Sequence, residues 1–294
     1  MKRITVFTPT FNRAYLLPRL YESLCCQTSQ DFLWLVIDDG SSDGTKQLVQ
    51  KWQSEGRVEI KYYYKENGGM HTGHNAAYKI IDTELNVCID SDDYMPDDAV
   101  EIILARWSQL INKEELSGIV ALDATAEGKV LGTRIPTGIK QGSYIDLYTK
   151  YKATGDKKFV LKTADVRKYP CYPEYQNEKL VPLGLLYIMM GEERPFFFLD
   201  EVICIVEYQE GGSSATIFKQ YKQSPLGFAY GRKVTLKYYK DFRTVAKQYI
   251  HLISSALFAR DLSIAFKGVN PVLTLLAIPF GVMLHFYIRL KIKN

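Results

Sequence analysis

The sequence predicts an α/β fold with a mostly parallel central sheet flanked by helices and a C-terminal helical extension. Three observations support this. Short β-rich apolar runs alternate with segments of helical period through the first half of the chain. These runs are almost continuously apolar, as in sheets covered on both faces. The 294 residues, 47% hydrophobic and 24% charged, can bury a large core, which excludes disordered, collagen-like and small disulfide-rich classes.

The predicted elements follow the order of parallel βαβ units. Strands are predicted at 4–8, 32–37, 58–64, 85–89 and 119–122, and we expect Pro9 to end the first. Helices are predicted around Leu16 to Leu24, at 44–54, at 74–81 and after Pro96. Farther along the chain, short strands are predicted at 157–162, 196–199 and 204–208, with a helix over 177–190. The ligand of such a sheet binds at the carboxyl ends of its strands.

Charge is divided unevenly along the chain. Residues 216–294 contain 13 Lys and Arg against two acids, whereas residues 1–215 carry a net charge of −7. We therefore predict two domains, at 1–215 and 216–294. The second is a basic helical tail, and its segment 272–288 lacks Asp, Glu, Lys and Arg. Basic residues beside an apolar surface suit anionic lipid headgroups. The tail is expected to lie on a membrane surface rather than cross it; a helix packed on the body is the alternative.

Cysteine usage and the N-terminus favour a cytoplasmic location. The five cysteines are odd in number and contain no CxxC pair, which fits free thiols in a reducing compartment. The N-terminal residues run directly into the first strand without an apolar stretch long enough for a signal peptide. We expect a peripheral protein on the inner face of the cell membrane, with no nucleic-acid partner.

Clustered carboxylates follow the fourth predicted strand, in the sequence Asp90-Ser91-Asp92-Asp93. Alternate residues of an extended strand share one face, so Asp90 and Asp92 can hold one cation. Mn²⁺ or Mg²⁺ suits one or two carboxylates completed by phosphate oxygens. The alternative is a solvated acidic loop in which Asp97 or Asp98 caps the next helix. Because a second acidic pair, Asp38-Asp39, follows another strand, we favour the metal site.

Two further strand ends carry candidate ligand contacts. Carboxylates such as Asp38 and Asp39 accept hydrogen bonds from a base edge or from ribose hydroxyls. Asn67-Gly68-Gly69 precedes a predicted helix, where backbone N–H groups favour phosphate. His71 and His74 are three residues apart and could ligate zinc, but no further ligands accompany them. Phosphate contact or surface placement is expected for both histidines.

Glu178 is the candidate general base. We expect it in the first turn of the helix predicted over 177–190, where it could deprotonate a hydroxyl nucleophile. Acidic residues in a first turn also act as caps or interact with the helix dipole, and this alternative remains open.

Taken in order, four motifs resemble the family 2 glycosyltransferases, which have the GT-A nucleotide-sugar fold. The motifs are Thr8-Pro9-Thr10-Phe11-Asn12-Arg13, Val36-Ile37-Asp38-Asp39-Gly40-Ser41-Ser42-Asp43, Asn67-Gly68-Gly69 through Asn75, and Ile89-Asp90-Ser91-Asp92-Asp93. The resemblance covers about residues 3–210.

The resemblance implies roles for individual residues. Nucleotide binding is implied for Pro9, Thr10, Asn12, Asp38, Asp39, Asn67 and Asp90. Asp90 and Asp92 match the DxD metal motif, with Asp92 the more direct ligand. Further donor or acceptor contacts are implied for Gly69, His71, His74, Asp93 and Ser213. Glu178 occupies the place of the catalytic carboxylate, although Lys179 follows it where the family often has Asp, and His74 stands where many relatives have Arg.

Together these inferences predict a metal-dependent inverting glycosyltransferase. Its donor would be a nucleotide-diphosphate sugar, UDP-linked by expectation, and its acceptor a hydroxyl of a cell-surface or lipid-linked glycan. Two alternatives stay open: a sugar nucleotidyltransferase and a degenerate nucleotide-sugar-binding scaffold. A dinucleotide-dependent oxidoreductase is disfavoured because no GxGxxG follows the first strand.

Overall fold

A computed structural model describes residues 2–207, 209 and 216–293. The chain forms two compact units, the first of residues 1–170 and 189–209 and the second of residues 171–188 and 210–294. Residues 171–188 thus belong to the second unit, whereas the predicted boundary at 215 places them in the first domain. The functional division at that boundary stays a prediction.

The first unit is built on one eight-stranded sheet. Its strands, in chain order, are β1 (Ile4–Thr10), β2 (Phe32–Asp38), β3 (Ile60–Tyr64), β4 (Leu85–Cys88), β5 (Gly118–Ala124), β6 (Gln141–Gly142), β7 (Lys157–Lys162) and β8 (Phe196–Ile205). Their order in the sheet is β3-β2-β1-β4-β7-β5-β8-β6. Six strands run in one direction, and β6 and β7 run opposite to them. The predicted, mostly parallel α/β sheet is confirmed.

Strand β1 passes through Pro9 and continues to Thr10, so the prediction that Pro9 ends the strand was wrong. Pro9 pairs with Ile37 of β2. On its other side, the pairing with β4 already ends at Phe7. A proline is tolerated in a strand where its missing N–H has no partner to lose, and β1 is effectively an edge toward β4 at this point. The predicted strand at 196–199 and the start of the one predicted at 204–208 are parts of a single strand, β8, which ends at Ile205.

Helices cover the sheet and bury its side chains. Those of the first unit are α1 (Leu17–Cys25), α2 (Thr45–Glu55), α3 (Met70–Ile80), α4 (Ala99–Gln109), α5 (Tyr144–Thr149) and α6 (Thr163–Val166). Every residue of β1, β2 and β5 is buried, which accounts for their continuous apolar sequence. Beside the sheet, Tyr21 stacks on Trp52 with ring centroids 4.3 Å apart.

Helix α7 (Gly184–Glu193) begins seven residues later than predicted. Asn177 has a positive φ of 65°, a left-handed conformation that does not continue a right-handed helix. Pro182 further restricts the residue before it to extended backbone. The placement of Glu178 in the first turn of a helix was therefore wrong, because Glu178 lies in a non-helical segment.

The second unit is helical, as predicted for the tail. It contains α8 (Ile217–Gln223), α9 (Pro225–Tyr238), α10 (Phe242–Ala259) and α11 (Pro271–Lys293). Helix α11 packs along α10, and Gly281 permits the close approach since a Cβ there would lie 2.4 Å from that of Ile253. Within the described residues, α11 is the one helix long and apolar enough to span a membrane.

Candidate active site

The loop after β1 contacts the segments that follow β2 and β4, the two strands on either side of β1. The side-chain carbonyl of Asn12 accepts a hydrogen bond from the Ser42 amide at 2.8 Å, and the Asn12 amide donates to the Ser41 hydroxyl. On the other side, Arg13 donates to the Ser91 hydroxyl at 3.2 Å and forms an ion pair with Asp92. The two acidic ends that were predicted to converge are therefore joined through consecutive residues of one loop.

Asp38, the last residue of β2, is held by its own loop and by a neighbouring strand. Its carboxylate accepts the Ser41 amide at 2.7 Å and the hydroxyl of Tyr62, on β3, at 2.5 Å. Burial raises the pKa of Tyr62, and the hydrogen bond to Asp38 raises it further. These contacts fix the geometry of the loop after β2.

Asp39 organises the loop before α3. Its carboxylate is 5% exposed and accepts hydrogen bonds from Lys65 at 2.6 Å and from the amides of Gly68 and Gly69 at 3.0 and 2.7 Å. The Asn67 side chain donates to the same carboxylate. Gly40 completes the junction, because a Cβ there would lie 2.7 Å from the Asn67 amide nitrogen. Asp39 thus places Asn67 and Gly69, two predicted contacts, at the N-terminus of α3.

Asp90 and Asp92 lie beyond β4, beside Arg13. The ion pair of Asp92 with Arg13 measures 3.2 Å, and the Asp92 side chain is 17% exposed. Burial raises the pKa of Asp92, Arg13 lowers it, and the nearby Asp90 raises it. Two carboxylates close enough to repel each other, with a guanidinium against one of them, form a site of strong negative potential.

Asp93 points into the first unit instead of toward the loop. Its carboxylate lies 3.7 Å from the ammonium of Lys158, which is also 3.9 Å from Asp123. Burial raises the pKa of Asp93 to about 7, although Lys158 opposes the shift. The Glu207 amide also donates to Asp93. Asp93 is therefore part of a buried charge cluster behind Asp90 and Asp92.

His71 and His74 are buried on α3, each 1% exposed, so the expectation of surface placement was wrong. The His74 Nδ1 lies 3.1 Å from the Tyr78 hydroxyl, and its ring packs edge-on against Phe7 at 5.0 Å. Burial lowers the pKa of His74 to about 4, so the ring is neutral at pH 7. Within the described parts of the chain, no three His, Cys, Asp or Glu side chains form a preformed metal cluster.

Glu178 caps a helix of the second unit. Its two carboxylate oxygens accept the amides of Leu226 and Gly227, at 2.9 and 2.8 Å, in the first turn of α9. Gly227 has no room for a Cβ, which would lie 2.0 Å from the Leu180 carbonyl oxygen. Burial raises the pKa of Glu178, and the two N–H donors oppose that shift. The carboxylate is thus fixed in orientation and more basic than an exposed one.

The remaining predicted residues lie in or beside these loops. Pro9 and Thr10 end β1, and the Thr10 carbonyl accepts the Asp39 amide at 2.8 Å. Ser213 lies outside the described residues. The sequence analysis assigned no role to Arg13, Lys65 or Lys158, although Arg13 is the last residue of the motif that begins at Thr8. Lys158 carried no usable signal, because β7 also contains Lys157 and Lys162.

Residues 5–111 match the family described as Glycosyl transferase family 2. This segment holds β1 to β4 and every acidic strand end described above. Within residues 5–111, the chain has the sequence of a family 2 glycosyltransferase domain. Beyond the matched segment, the first unit continues the sheet with β5 to β8.

Relatives of this glycosyltransferase domain include the poly(ribitol-phosphate) beta-N-acetylglucosaminyltransferase TarP of Staphylococcus aureus. It is 30% identical over 141 residues, which are 47% of this chain and 41% of TarP. The chain spans between about a tenth and two fifths of the length of the curated relatives that it matches.

Solved structures share the GT-A fold over almost the whole chain. The structure of S. aureus TarS 1–349 in complex with UDP-GlcNAc superposes with a TM-score of 0.61 and 16% identity, covering 98% of this chain and 92% of that one. The mannosyltransferase PcManGT from Pyrobaculum calidifontis, in complex with GDP-Man and Mn²⁺, gives 0.55 and 17%, covering 98% and 82%. The predicted GT-A fold is confirmed.

Proposed function

We propose that this protein transfers a sugar from a nucleotide-diphosphate donor, a UDP-sugar, to a hydroxyl of a cell-surface or lipid-linked glycan, with inversion at the anomeric carbon. The observation that carries the proposal is the loop after β1, in which Asn12 contacts the end of β2 and Arg13 contacts the end of β4. One diphosphate-linked ligand can therefore contact both ends. The TarS complex with UDP-GlcNAc supports the donor class.

The acidic end of β4 fits a divalent cation, Mn²⁺ or Mg²⁺. Asp92 already holds a cationic group, the Arg13 guanidinium, and Asp90 is near enough to raise its pKa. Because fewer than three protein ligands are grouped here among the described residues, phosphate oxygens of the donor would complete the coordination. The bound ion would stabilise the charge of the departing diphosphate. Mn²⁺ accompanies GDP-Man in the PcManGT structure.

In this proposal, other residues of the chain bind the donor phosphates and accept the proton of the acceptor hydroxyl. Asn67, Gly69 and the start of α3, set in place by Asp39, present backbone N–H groups to phosphate. Glu178 accepts the proton of the acceptor hydroxyl. At the same time the hydroxyl oxygen bonds to the anomeric carbon, and the nucleoside diphosphate leaves from the opposite face. A single displacement of this kind inverts the configuration. The TarP name specifies a β-linked product, which inversion of an α-linked donor gives.

We also propose that helix α11 attaches the protein to the inner face of a membrane. Along α11, one stripe faces α10 and the opposite stripe is apolar and exposed. The exposed stripe, here called the apolar face, consists of Val272, Leu275, Leu276, Phe280, Met283, Phe286, Tyr287 and Leu290. Arg289 and Lys291 adjoin it. An apolar helix face of this length next to cations suits an anionic bilayer surface.

The decisive experiment incubates the purified chain with a panel of UDP- and GDP-sugars and Mn²⁺, scored by release of the nucleoside diphosphate. We expect one UDP-sugar to be hydrolysed or transferred, chelation to stop the reaction, and Asp92→Asn to reduce it at least about 100-fold. Asp97→Asn, an exposed carboxylate four residues after Asp93, is the matched control and should retain activity. Turnover by Asp92→Asn equal to that of the native chain would refute the metal assignment.

A further inference from the structure

The second unit contains a partly buried arginine, Arg232, for which the described residues provide no carboxylate partner. The Nε of Arg232, on α9, is buried and has no hydrogen-bond partner among the described residues. One of its η nitrogens donates to the side-chain oxygen of Gln248, on α10, at 3.3 Å. In the described part of the chain, Arg232 interacts with Gln248, with the rings of Tyr221 and Phe228, and through a hydrogen bond with the Tyr221 side chain. A buried cation in such surroundings is costly unless an anion accompanies it.

Aromatic and basic side chains surround this guanidinium. It lies over the rings of Tyr221 and Phe228, 5.5 and 5.6 Å from their centroids. The His251 ring is 5.5 Å from that of Tyr221. Burial, together with the charges of Arg232 and Lys247, lowers the pKa of His251 to about 3. The charges of Arg232 and Lys247 both act on His251, and the nearby rings are planar groups that can pack against a ligand.

Three of the carboxylates that the structure describes in the second unit have other hydrogen-bond partners. Asp241 accepts the Thr244 amide at 2.8 Å at the start of α10, and Asp261 accepts the Ser263 amide at 2.9 Å. Glu178 accepts two amides of α9. These acids serve as helix caps, so an anion that neutralises Arg232 has to come from outside this set.

A chain of aromatic contacts connects this cluster to the apolar face of α11. The Tyr221 ring contacts Phe218 one turn away on α8, with centroids 6.4 Å apart. Phe218 in turn contacts Tyr287, a member of the apolar face, at 5.9 Å. The ammonium of Lys291 lies over the Tyr287 ring. A molecule with an anionic head and apolar chains could therefore contact both places.

We propose that Arg232, together with Tyr221, Gln248 and His251, binds the phosphate group of an anionic lipid whose acyl chains lie along the apolar face of α11. The proposal rests on the membrane attachment proposed above and adds a selective headgroup site to it. A guanidinium has a planar fork of N–H donors that pairs with two phosphate oxygens at once. Its Nε–H, which has no hydrogen-bond partner in the described part of the chain, could join that arrangement, and a phosphate would neutralise the partly buried charge.

The test measures co-sedimentation of the full chain with three kinds of phosphatidylcholine vesicle. One is neutral, one contains phosphatidic acid, and one contains a fatty acid at equal surface charge. We expect the native chain to bind the phosphatidic acid vesicles at least fivefold more tightly than the fatty acid vesicles. Arg232→Met should reduce that ratio to about one. Lys237→Met, which removes an exposed charge from the same helix, should retain the ratio.

Arg232→Lys separates geometry from charge, since lysine keeps the cation but lacks the planar fork; we expect it to lose most of the preference for phosphate. Thermal unfolding checks that each variant folds, and Arg232→Met should melt no lower than the native chain because it removes a buried unpaired charge. An equal affinity of the native chain for both anionic vesicles, or a full preference in Arg232→Met, would overturn the proposal.

A separate arm distinguishes failure of the site from failure of membrane attachment. If no vesicle binds the native chain, the attachment through α11 is wrong. Inorganic phosphate added without lipid then tests the site alone, and it should raise the melting temperature of the native chain but not that of Arg232→Met. Stabilisation by inorganic phosphate with no preference for phosphatidic acid would identify a free phosphate as the ligand and exclude the lipid. No stabilisation of either protein would exclude the site.

Discussion

One η nitrogen of Arg13 lies 3.2 Å from a carboxylate oxygen of Asp92, so a cation of the chain itself occupies the acidic end of β4. Arg13 follows β1, and Asp92 follows β4, which pairs with β1 in the sheet. The same guanidinium reaches the Ser91 hydroxyl. Where a divalent cation is proposed to bind, Arg13 therefore competes with it for Asp92.

Replacing Arg13 by methionine should tighten the binding of Mn²⁺ in the absence of nucleotide. The partly exposed ion pair is worth about 0.5–1 kcal/mol, which corresponds to an increase of about two- to fivefold in affinity. Titration of free Mn²⁺ by electron paramagnetic resonance measures this affinity. Arg19→Met, which removes an arginine paired with Glu207 instead, should leave the affinity unchanged. Weaker Mn²⁺ binding by Arg13→Met would show that Arg13 supports the site.

Asp39→Ala should destabilise the first unit strongly. The substitution leaves the Lys65 ammonium and the amides of Gly68 and Gly69 without their shared acceptor. Loss of one partner from a buried ion pair costs about 3–5 kcal/mol, measurable by urea unfolding followed by Trp fluorescence. The Asp31 carboxylate accepts the Arg3 amide near the opposite end of the sheet. Asp31→Ala, the control, should lower the free energy of unfolding by about 1 kcal/mol. A loss of equal size in both variants would contradict the assigned network.

Glu178→Gln tests whether the cap is also the general base. Glutamine keeps one carbonyl oxygen to accept an amide of α9, so the melting temperature should fall by only a few degrees. Transfer should fall by about 100-fold or more if the carboxylate accepts the hydroxyl proton. Glu174→Gln, an exposed acid in the same segment, is the control. Unchanged turnover in Glu178→Gln would restrict Glu178 to capping.

The pH dependence of transfer offers a second measurement on Glu178. Since burial raises the pKa of this carboxyl above its usual range, the proton-accepting form should be lost on the acid side at a pH above the ordinary Glu pKa. The rate should therefore rise with pH through the folded-state pKa and then level off. This acid limb should be absent from the residual rate of Glu178→Gln.

Met283→Glu should release the protein from membranes without unfolding it. Met283 is 66% exposed in the middle of the apolar face, so a charge there opposes insertion while the packing on α10 is retained. Fractionation of cells into membrane and soluble parts measures the shift. Ile111→Glu adds the same charge at an exposed apolar residue of the first unit and should not alter the distribution. Deletion of residues 268–294 should have the same effect, but it also uncovers Ile253 and its neighbours on α10.

The acidic strand ends were predictable because they depend on local pattern alone. Buried parallel strands are continuously apolar, and the polar residues that end them gather at one edge of the sheet. Thus Asp38, Asp39, Asp90 and Asp92 could be placed from the sequence at strand ends along one edge of the sheet. The order and spacing of the same motifs also indicated the family.

The partners of these carboxylates could not be predicted in this way. Asp39 binds Lys65 and Gly69 across 26 and 30 residues of sequence, and Glu178 binds Leu226 across 48. Nothing in the local period of either segment encodes such distances. The late start of α7 illustrates the same limit, because the left-handed Asn177 outweighed the helical pattern of the residues that follow it.

The sequence by itself determined where strands end in acids, which part of the chain is basic and which segment is continuously apolar. Each of these is a property of residues close together along the chain. Only the tertiary structure decided that β7 would insert antiparallel between β4 and β5, that Arg13 would lie against Asp92, and that the Nε of Arg232 would be buried with no hydrogen-bond partner among the described residues. Those outcomes depend on which distant surfaces pack together, and the packing free energy that selects them is a sum over the whole fold.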